Sequence, residues 1–403
     1  MAESTEGGQA FPKESPSPKQ VRGRGRGFSA GGKRRGGVGG IFMKIVDIQT
    51  DEIFIPLATP FKTALRTVSS VEDVVVKITA DDGRVGYGEA PPTGVITGDT
   101  KGSILSAVNE FIRPALLGMD IAELDAVMAR LDSCILKNTS AKAAVDMALY
   151  DLWGKLYGAP LYRLLGGARR ELETDITISV NPVEEMVRDS LAAVERGYRI
   201  LKVKVGKEGL KDIERIQAIR QAVGPQVAIR VDANQGWTAK QAVRIITAME
   251  DRGLAIDLVE QPVKAHDLEG MRQVTRAVYT PILADESVFS PEDAVTIIQT
   301  GAADLLNIKL MKTGGIHNAL RICAVAETYG VECMIGCMLE SKLAVTAGAH
   351  LAAARCVITR ADLDGPSLCR TDPFEGGPDF LENRIVMNDA PGLGITGLPA
   401  FSA

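Results

Sequence analysis

The chain has 403 residues, of which 45% are hydrophobic and 24% are charged. This is enough for a large buried core, and the length predicts two domains or one barrel with an added module. The formal net charge of -5 divides into +5 for residues 1–42 and about -10 for the rest. A mildly acidic body argues against a nucleic-acid partner, because phosphate binding needs clustered cations. No run of 18 apolar residues occurs, so no membrane partner is expected.

The cysteine and histidine content argues against several kinds of site. Six cysteines occur without a C-x-x-C pair, and three histidines occur without a Cys/His zinc spacing. In a chain of this length the thiols are expected to be reduced, which predicts a cytoplasmic protein. The sequence leaves open whether the protein is a homo-oligomer.

Residues 1–42 are rich in Gly, Ser, Pro and basic residues, and they include RGRGRG at 22–27. This composition buries too little apolar surface to offset the entropy of ordering, so we expect a disordered tail. It is interpreted as residues added upstream of a start at Met43, by gene prediction or expression, or as a solvated tail without function. A third interpretation is an RNA-binding arm, which the small number of Arg-Gly repeats disfavours.

From Met43 the pattern becomes that of a folded domain. The runs KIVDIQTDEIFIPL, VEDVVVKITA and GRVGYGEA predict an antiparallel meander, with a turn at Asp82-Gly83. Asn138 and the two residues after it are suitable caps for a helix. Helical patterns follow the meander at about 100–117, 121–135 and 140–157.

Short β-branched runs recur from Thr174 onward about every 24–30 residues, and helical patterns fill most of the gaps. The runs are TDITISV, RILKVKV, VAIRVDAN, DLVEQP, PILADES, LLNIKL, CMIGCM and TRADLD. Strands that alternate with helices at this period form βα units on a parallel sheet. Eight such units close into a barrel of about 200–250 residues. The sequence therefore predicts an α/β fold with a TIM-type (β/α) barrel.

Ionisable residues stand at the carboxyl ends of these strands, where the side chains of a barrel face its active site. Five of them are separated by 28, 28, 25 and 24 residues, one βα unit for each step. Taken singly, each has an ordinary explanation, such as a polar edge strand, a helix cap or a solvated charge. Scattered surface charges would not keep one phase of a repeat, so we interpret the set as functional. In chain order the strand ends carry Lys202, Lys204, Asp232, Glu260, Asp285, Lys309, Glu340, Asp362 and Asp364.

Three carboxylates on adjacent strands predict a metal site. Asp232, Glu260 and Asp285 offer hard oxygen ligands that suit Mg²⁺ and leave coordination positions for substrate. A substrate carboxylate bound to that ion becomes electron-poor, and its α-proton can then be removed.

Two lysines are candidate bases for that proton. A base must be neutral, and Lys202, two residues away on the same strand face, disfavours the charged form of Lys204. Lys309 follows the strand four further round the barrel, which places it across the mouth. Two lysines that face opposite sides of one carbon can exchange its proton with inversion, which is a 1,1-proton transfer.

Asp362 and Asp364 are two residues apart at the last strand end and are expected to point the same way. With no matching lysine, the pair is interpreted as a site for a cation such as an ammonium group. A second metal site or a capped turn is the alternative. Arg66, taken alone, would be an ordinary solvated loop charge.

Together these motifs resemble the enolase superfamily, muconate-lactonising subgroup. The residues that carry the resemblance are KVK at 202–204, VDANQGW at 231–237, LVEQP at 258–262, LADES at 283–287, NIKLMKTGGI at 307–316 and, for the capping domain, GYGEAPP at 86–92. The resemblance extends from about Met43 to about Leu398. Within the subgroup, dipeptide epimerases acting on L-Ala-D/L-Glu are the most similar. That similarity rests on FKTALRT at 61–67, PPTGVITGD at 91–99, the strand TDITISV and the Asp-x-Asp of TRADLD.

The resemblance implies both a domain organisation and an activity. It implies an α+β capping domain at 43–166, a barrel at 167–370 and a C-terminal segment at 371–403 that returns to the capping domain. It also implies an isomerase that epimerises a dipeptide at its C-terminal residue, with Mg²⁺ as cofactor and murein peptides as the source of substrate.

The resemblance further implies a role for each site residue. Lys204 and Lys309 are the acid/base pair; Asp232, Glu260 and Asp285 hold Mg²⁺; Lys202 contacts the substrate carboxylate; Asp362 and Asp364 bind the dipeptide ammonium; Arg66 faces the distal glutamate carboxylate; and Thr177, Cys337 and Leu339 line the pocket. The segment GCMLESK at 336–342 varies among members with different dipeptide preferences.

Other functions stay open from the sequence. The same scaffold serves o-succinylbenzoate synthases, N-acylamino-acid racemases and muconate cycloisomerases, whose substrates lack a free ammonium and would not need an anionic pair. A non-catalytic binding protein is the alternative of another class, and five phased ionisable residues argue against it.

Overall fold

The computed structural model describes residues 42–398 and 401. The expected tail at residues 1–42 lies outside the described residues, apart from Phe42. Within the described part, no helix has the length and apolar character needed to cross a membrane.

The expected antiparallel meander opens the described chain. Strand β1 spans Ile45–Lys62, β2 spans Thr67–Ala80 and β3 spans Val85–Ala90, with β2 in the middle. In the turn between β1 and β2, the Thr63 hydroxyl accepts the backbone N–H of Arg66 at 3.2 Å, and the Thr63 N–H donates to the Arg66 carbonyl at 3.0 Å. Both hydrogen bonds fix the backbone from which the Arg66 side chain projects.

Helices follow the meander and pack against it. The longest of them, α4, is buried over nearly its whole length. Gly88 of β3 permits this close packing, since a Cβ there would lie 1.8 Å from the Ala144 carbonyl oxygen. The helical elements are α1 at Lys101–Ser106, a π-helical turn at Ala107–Ile112, α2 at Arg113–Leu116, a 3-10 turn at Ile121–Glu123, α3 at Leu124–Ser133, α4 at Thr139–Leu156 and α5 at Leu161–Leu164.

The start of α4 is capped differently from the sequence expectation. Asn138 adopts a left-handed backbone conformation, and its side chain donates to the Leu136 carbonyl at 2.9 Å instead of capping the helix. Asp99 supplies a cap instead, because its Oδ2 accepts the Ser140 N–H at 3.0 Å.

The βα repeat is present as predicted, with strands and helices alternating along the chain. After β4 at Glu171–Glu173, the elements are β5 at Ile176–Ile178, α6 at Val183–Glu195, β6 at Ile200–Lys204, α7 at Lys211–Val223, β7 at Ala228–Asp232, α8 at Ala239–Asp251, β8 at Ile256–Glu260, α9 at Leu268–Ala277, β9 at Ile282–Ala284, α10 at Pro291–Thr300, β10 at Leu305–Lys309, α11 at Leu310–Thr313, α12 at Ile316–Tyr329, β11 at Cys333–Gly336, α13 at Lys342–Ala354 and β12 at Ile358–Asp362.

Strands β5 to β12 form one eight-stranded parallel sheet in sequence order. A parallel bridge between Thr174, just before β5, and Ala361 of β12 brings the two ends of the sheet together. The fold class predicted from the sequence, a TIM-type barrel with an N-terminal antiparallel module, is therefore confirmed. A layer of apolar side chains forms a cluster of its own among the barrel strands, from Leu258, Leu283, Leu305 and Met334.

The C-terminal part of the described chain contacts the meander's helices. The Leu161 N–H donates to the Gly392 carbonyl at 2.8 Å, and the Leu393 N–H donates to Asp151 Oδ1 at 2.8 Å. The elements of this part are α14 at Gly365–Leu368, β13 at Glu375–Gly376, β14 at Asp379–Leu381, β15 at Arg384–Val386 and β16 at Ile395–Gly397.

Candidate active site

The register of the parallel strands brings the predicted lysines and carboxylates to one level at the barrel mouth. Asp232 at the end of β7 pairs in register with Lys204 on β6 and with Glu260 on β8. Lys309 at the end of β10 pairs with Gly336 on β11. All four charged residues are buried, with at most 5% of the residue surface exposed. The constant spacing in the sequence thus reflects one βα unit for each neighbouring strand.

Lys202 lies among three carboxylates. Its Nζ is 2.6 Å from Asp362 Oδ2, 2.7 Å from Glu260 Oε2 and 3.2 Å from Asp232 Oδ2. Burial alone would lower the pKa of Lys202, but the negative charges around it outweigh burial and raise that pKa well above its usual value. Lys202 is therefore charged at neutral pH and supplies the cation predicted beside Lys204.

The two candidate bases approach from opposite sides. Lys204 Nζ lies 2.6 Å from Asp232 Oδ2, and Lys309 Nζ lies 2.7 Å from Asp285 Oδ2. Strands β6 and β10 are four positions apart in the eight-stranded sheet, so they face each other across the mouth. Burial would lower the pKa of Lys309, but the Asp285 carboxylate raises it well above its usual value. Lys309 is therefore an ammonium ion beside Asp285, and it must lose a proton before it can accept one from a substrate.

The three carboxylates predicted to hold a metal come from β7, β8 and the end of β9. Burial raises the pKa of Asp232, and the ammonium groups of Lys204 and Lys202 lower it to below its usual value. Burial and the charge of Asp232 raise the pKa of Glu260 to about 7. A buried carboxylate whose pKa is raised by a neighbouring carboxylate is stabilised in its charged form by a nearby cation.

The donor set fits Mg²⁺. Glu260 Oε2 and Asp285 Oδ1 are buried and accept no well-directed hydrogen bond, although lysine nitrogens lie 2.7 and 2.6 Å away. Across residues 42–398 and 401, no three His, Cys, Asp or Glu side chains stand together as a metal cluster; each of these three carboxylates is paired with a lysine instead. Carboxylate oxygens of this kind are the ligands that Mg²⁺ prefers.

All the predicted substrate-binding residues line one pocket over the site, together with both candidate bases. Residues that the sequence analysis did not single out also line it: Phe61, Thr63, Leu65, Val95, Ile96, Asn234, Met338 and Leu368. The predicted lining residues are Arg66, Thr177, Lys202, Lys204, Lys309, Cys337, Leu339, Asp362 and Asp364.

The premise that the aspartate pair has no matching lysine is wrong for Asp362. Its Oδ2 pairs with Lys202, and the lysine charges hold the pKa of Asp362 at about 2 in spite of burial. Within residues 42–398 and 401, Asp364 has no such partner; its Oδ2 accepts the Thr177 N–H at 2.7 Å. Burial and the charge of Asp362 raise the pKa of Asp364 to about 6. Asp364 is therefore the carboxylate of the pair without a cationic partner in the part of the chain that the structure describes.

Arg66 is a half-buried side chain at the pocket wall. Its guanidinium forms no hydrogen bond or ion pair with any residue in 42–398 or with Phe401, so its donors are open to a ligand. Burial lowers the pKa of Arg66, and the charge of Asp73 partly offsets this effect.

The wall at Cys337–Leu339 is anchored to the meander. Glu340 Oε1 accepts the Met338 N–H at 2.9 Å. The next residue, Ser341, donates its N–H and its hydroxyl to the Glu89 carboxylate of β3 at 2.9 and 2.6 Å. Segment 336–342 is therefore stabilised by a hydrogen bond within it and by hydrogen bonds from Ser341 to Glu89 of the meander.

Some polar residues behind the site were not predicted from the sequence. Asn307 donates to Glu260 Oε1 at 2.9 Å, and Lys312 Nζ lies 2.6 Å from Asp285 Oδ1. Asn307 could have been found, because it is two residues before Lys309 and so on the same strand face. Both oxygens of Glu286 are buried without a hydrogen bond, and burial with the charge of Asp285 raises its pKa to about 8.

Comparison with known proteins gives a consistent result along the chain. Residues 45–166 match the family described as "Mandelate racemase / muconate lactonizing enzyme, N-terminal domain", and residues 185–399 match "Enolase C-terminal domain-like". An L-Ala-D/L-Glu epimerase from Clostridium acetobutylicum is 58% identical over 88% of this chain and 99% of its own length.

Two solved structures share the fold at high identity. A substrate-liganded complex of the L-Ala-D/L-Glu epimerase from Bacillus subtilis is 54% identical, with a TM-score of 0.87 over 88% of this chain and 99% of that one. A dipeptide epimerase from Enterococcus faecalis, in complex with Mg and L-Leu-L-Tyr, is 43% identical, with a TM-score of 0.85 over 88% of this chain and 100% of that one.

Proposed function

The chain belongs to the mandelate racemase/muconate lactonizing enzyme family, and on that basis we propose that it is a Mg²⁺-dependent dipeptide epimerase. The reaction is a 1,1-proton transfer at the α-carbon of the C-terminal residue. The observation that carries the proposal is the position of Lys204 and Lys309 on opposite sides of a buried carboxylate site. The preferred substrate is L-Ala-D/L-Glu, a dipeptide of murein peptides, as supported by similarity to epimerases with that activity.

Lys204 and Lys309 perform the proton transfer in this proposal. One lysine, as the neutral amine, removes the α-proton from one face, and the other, as the ammonium ion, delivers a proton to the opposite face. When Lys309 is the base, its ammonium group must first leave Asp285 and lose a proton, since only the neutral amine has a lone pair that can accept the α-proton. The direction of epimerisation decides which lysine begins in the neutral form.

Asp232, Glu260 and Asp285 would hold the metal ion. Mg²⁺ bound there supplies positive charge that withdraws electrons from the substrate carboxylate and so acidifies the α-carbon. Lys202 is charged and buried among these carboxylates, where it adds a fixed positive charge for the same substrate carboxylate.

The free amino group of the dipeptide is assigned to the aspartate pair. Asp364 lines the pocket and has no cationic partner within the described residues, whereas Asp362 already pairs with Lys202. An ammonium group close to Asp364 would lower the pKa of that carboxyl group and keep it ionised. A single amino acid would be too short to reach both the metal site and this carboxylate.

Arg66 is assigned to the side-chain carboxylate of the substrate. It lines the same pocket and its guanidinium is free of protein partners within the described residues, so it can donate to a ligand without losing an existing bond. A charge-assisted hydrogen bond of this kind favours Glu or Asp at the C-terminal position. Thr177 orients Asp364, and Cys337 and Leu339 form the wall of the pocket.

The experiment is a comparison of L-Ala-L-Glu with its N-acetylated form, with Mg²⁺ present and after removal of the metal by a chelator. We expect rapid epimerisation of the free dipeptide, poor turnover of the blocked one and loss of both without metal. Equal turnover of the two substrates would contradict the ammonium site and favour an N-acylamino-acid racemase. Full activity in excess chelator would contradict the metal site.

Further assignments rest on the same proposal. We infer a capping domain at residues 43–166, a barrel at 167–370 and a C-terminal segment at 371–403 that returns to the capping domain. We also propose a cytoplasmic enzyme whose partner is a small-molecule dipeptide and which binds neither nucleic acid nor membranes. Its oligomeric state is to be measured by light scattering, with a homo-oligomer as one outcome.

A further inference from the structure

The short segment 307–312 contains two further polar residues, Asn307 and Lys312, beside the candidate base Lys309. Asn307 and Lys309 are two residues apart on β10 and therefore project from the same face of the strand, towards the barrel mouth. Lys312 follows on α11 and its Nζ donates to the Asn307 carbonyl at 2.9 Å. The segment thus turns back on itself, and its polar side chains are completely buried at Asn307 and Lys312.

Asn307 holds the central carboxylate of the site. Its Nδ2 donates to Glu260 Oε1 at 2.9 Å. Gly336 on the neighbouring strand leaves room for this arrangement, because a Cβ there would lie 2.8 Å from Asn307 Oδ1 and 3.0 Å from Lys309 Cε. The other oxygen, Glu260 Oε2, accepts no well-directed hydrogen bond. One oxygen of Glu260 is therefore fixed from behind by Asn307, while the other faces Lys202 at 2.7 Å.

Lys312 contacts the third carboxylate, Asp285, through an ion pair. Its Nζ lies 2.6 Å from Asp285 Oδ1 and also donates to the backbone carbonyls of Asp285 and Asn307. The second oxygen, Asp285 Oδ2, faces Lys309 at 2.7 Å. A completely buried ammonium group that donates to two backbone carbonyls and pairs with a carboxylate oxygen is already occupied by the protein, so Lys312 acts on Asp285 and not on a ligand.

We infer that Asn307 and Lys312 are positioning residues that fix Glu260 and Asp285 for metal binding, so that one segment orients two metal ligands as well as the catalytic lysine between them. This inference rests on the proposed function, since it takes these carboxylates as Mg²⁺ ligands. Groups that orient a ligand from behind affect metal affinity by about 10- to 100-fold when they are removed.

The positive charge of Lys312 could affect Mg²⁺ affinity in the opposite direction. If Lys312 acted only through its positive charge, its removal would strengthen the binding of a cation, because like charges repel. If it only filled space, metal affinity would not change. Only an orienting role predicts that Mg²⁺ binds more weakly when Lys312 is replaced. Asn307 is uncharged, so its replacement tests orientation without a change of charge.

The experiment measures the Mg²⁺ dissociation constant of the substrate-free full-length protein by calorimetry, for the wild type, Asn307→Leu and Lys312→Met. Both replacements are close in size to the original side chains but cannot make the hydrogen bonds. We expect a dissociation constant about 10- to 100-fold higher in each variant. The kcat at saturating Mg²⁺ should recover to within a few-fold of the wild type, which separates positioning from catalysis.

Lys142→Met is the matched control. Lys142 is also a buried lysine, and its Nζ donates to the Asp132 carbonyl at 2.7 Å, but it lies on α4 outside the site. This variant should bind Mg²⁺ like the wild type even if its melting temperature falls. If Asn307→Leu does not fold, Asn307→Ser, which is too short to reach Glu260, replaces it.

Two outcomes overturn the inference. One is a dissociation constant within two-fold of the wild type, or lower, in folded Asn307 and Lys312 variants. The other is a loss of activity that saturating Mg²⁺ does not restore. If the proposed function itself is wrong, the result is different. The wild type would then either bind no Mg²⁺ or bind it equally well after Asp285→Asn.

Discussion

Replacement of Arg66 by Ala should change substrate preference more than it changes catalysis. The Arg66 guanidinium has no hydrogen-bonding or ion-pair partner among the described residues, so its removal breaks no hydrogen bond or ion pair there. The turn that carries it depends on backbone groups and on the Thr63 hydroxyl, which the substitution leaves in place. The effect of Arg66→Ala should therefore fall on the bound substrate.

The size of the effect follows from the contact that is lost. A hydrogen bond to a charged group is worth about 1.5–3 kcal/mol, which corresponds to about one to two decades in kcat/KM. This loss is expected for L-Ala-L-Glu and not for L-Ala-L-Leu, whose side chain has no carboxylate to bind. The ratio of the two kcat/KM values should thus fall by the same one to two decades in the variant.

The assay follows epimerisation of both dipeptides by polarimetry or by separation of the diastereomers. Arg113→Ala is the matched control, because Arg113 lies on α2 at the surface and pairs with Asp47 at 2.8 Å, away from the pocket. It should leave both kcat/KM values unchanged. If Arg66→Ala lowered kcat/KM equally for the Glu and Leu dipeptides, Arg66 would not recognise the side-chain carboxylate.

The other predictions concern the bases, the metal, a buried histidine and the first residues. Replacing Lys204 or Lys309 by Ala should abolish net epimerisation while one epimer still exchanges its α-proton with solvent, and wild-type epimerisation by either variant would contradict two-base transfer. Asp285→Asn should abolish both activity and Mg²⁺ binding by calorimetry, and retention of metal affinity would exclude it as a ligand. Burial lowers the pKa of His350 from 6.5 to about 4, so between these values the unfolded chain binds a proton that the folded chain does not. The free energy of unfolding should therefore fall by up to about 3 kcal/mol as the pH drops from 6.5 to about 4. Measured by urea unfolding, the free energy of His350→Asn should depend less on pH in this range, and a pH dependence equal to that of the wild type would refute the prediction. A chain that begins at Met43 should keep full kcat/KM, and a loss of activity or solubility would show that the preceding residues are needed.

The lysines and carboxylates at the strand ends could be predicted from the sequence. In a parallel barrel, residues separated by one βα unit lie at the same level on neighbouring strands. Lys204, Asp232 and Glu260 end consecutive strands, and each pair of neighbours lies in register. Register depends only on backbone pairing and on the length of each βα unit, both of which the sequence displays. The same reasoning places Lys309 across the mouth from Lys204.

Contacts that depend on side-chain reach could not be predicted in this way. Lys202 and Asp362 are 160 residues apart and meet only because the barrel closes, so the aspartate pair looked free of lysine in the sequence. Lys312 stands in a short helix, where a lysine is usually solvated, and its burial depends on acceptors contributed by Asp285 and Asn307. The cap of α4 is another such contact, since Asp99 reaches it from 41 positions earlier.

The most direct test of the central claim is proton exchange by the Mg²⁺-loaded, full-length wild type acting on L-Ala-L-Glu in D₂O, followed by NMR. We predict that deuterium enters the α-position of the Glu residue alone and that L-Ala-D-Glu accumulates with that label, because the proton removed on one face is replaced from solvent-exchanged lysine on the other. An α-proton of Glu that stays unexchanged under these conditions, or exchange confined to the Ala residue, would contradict it.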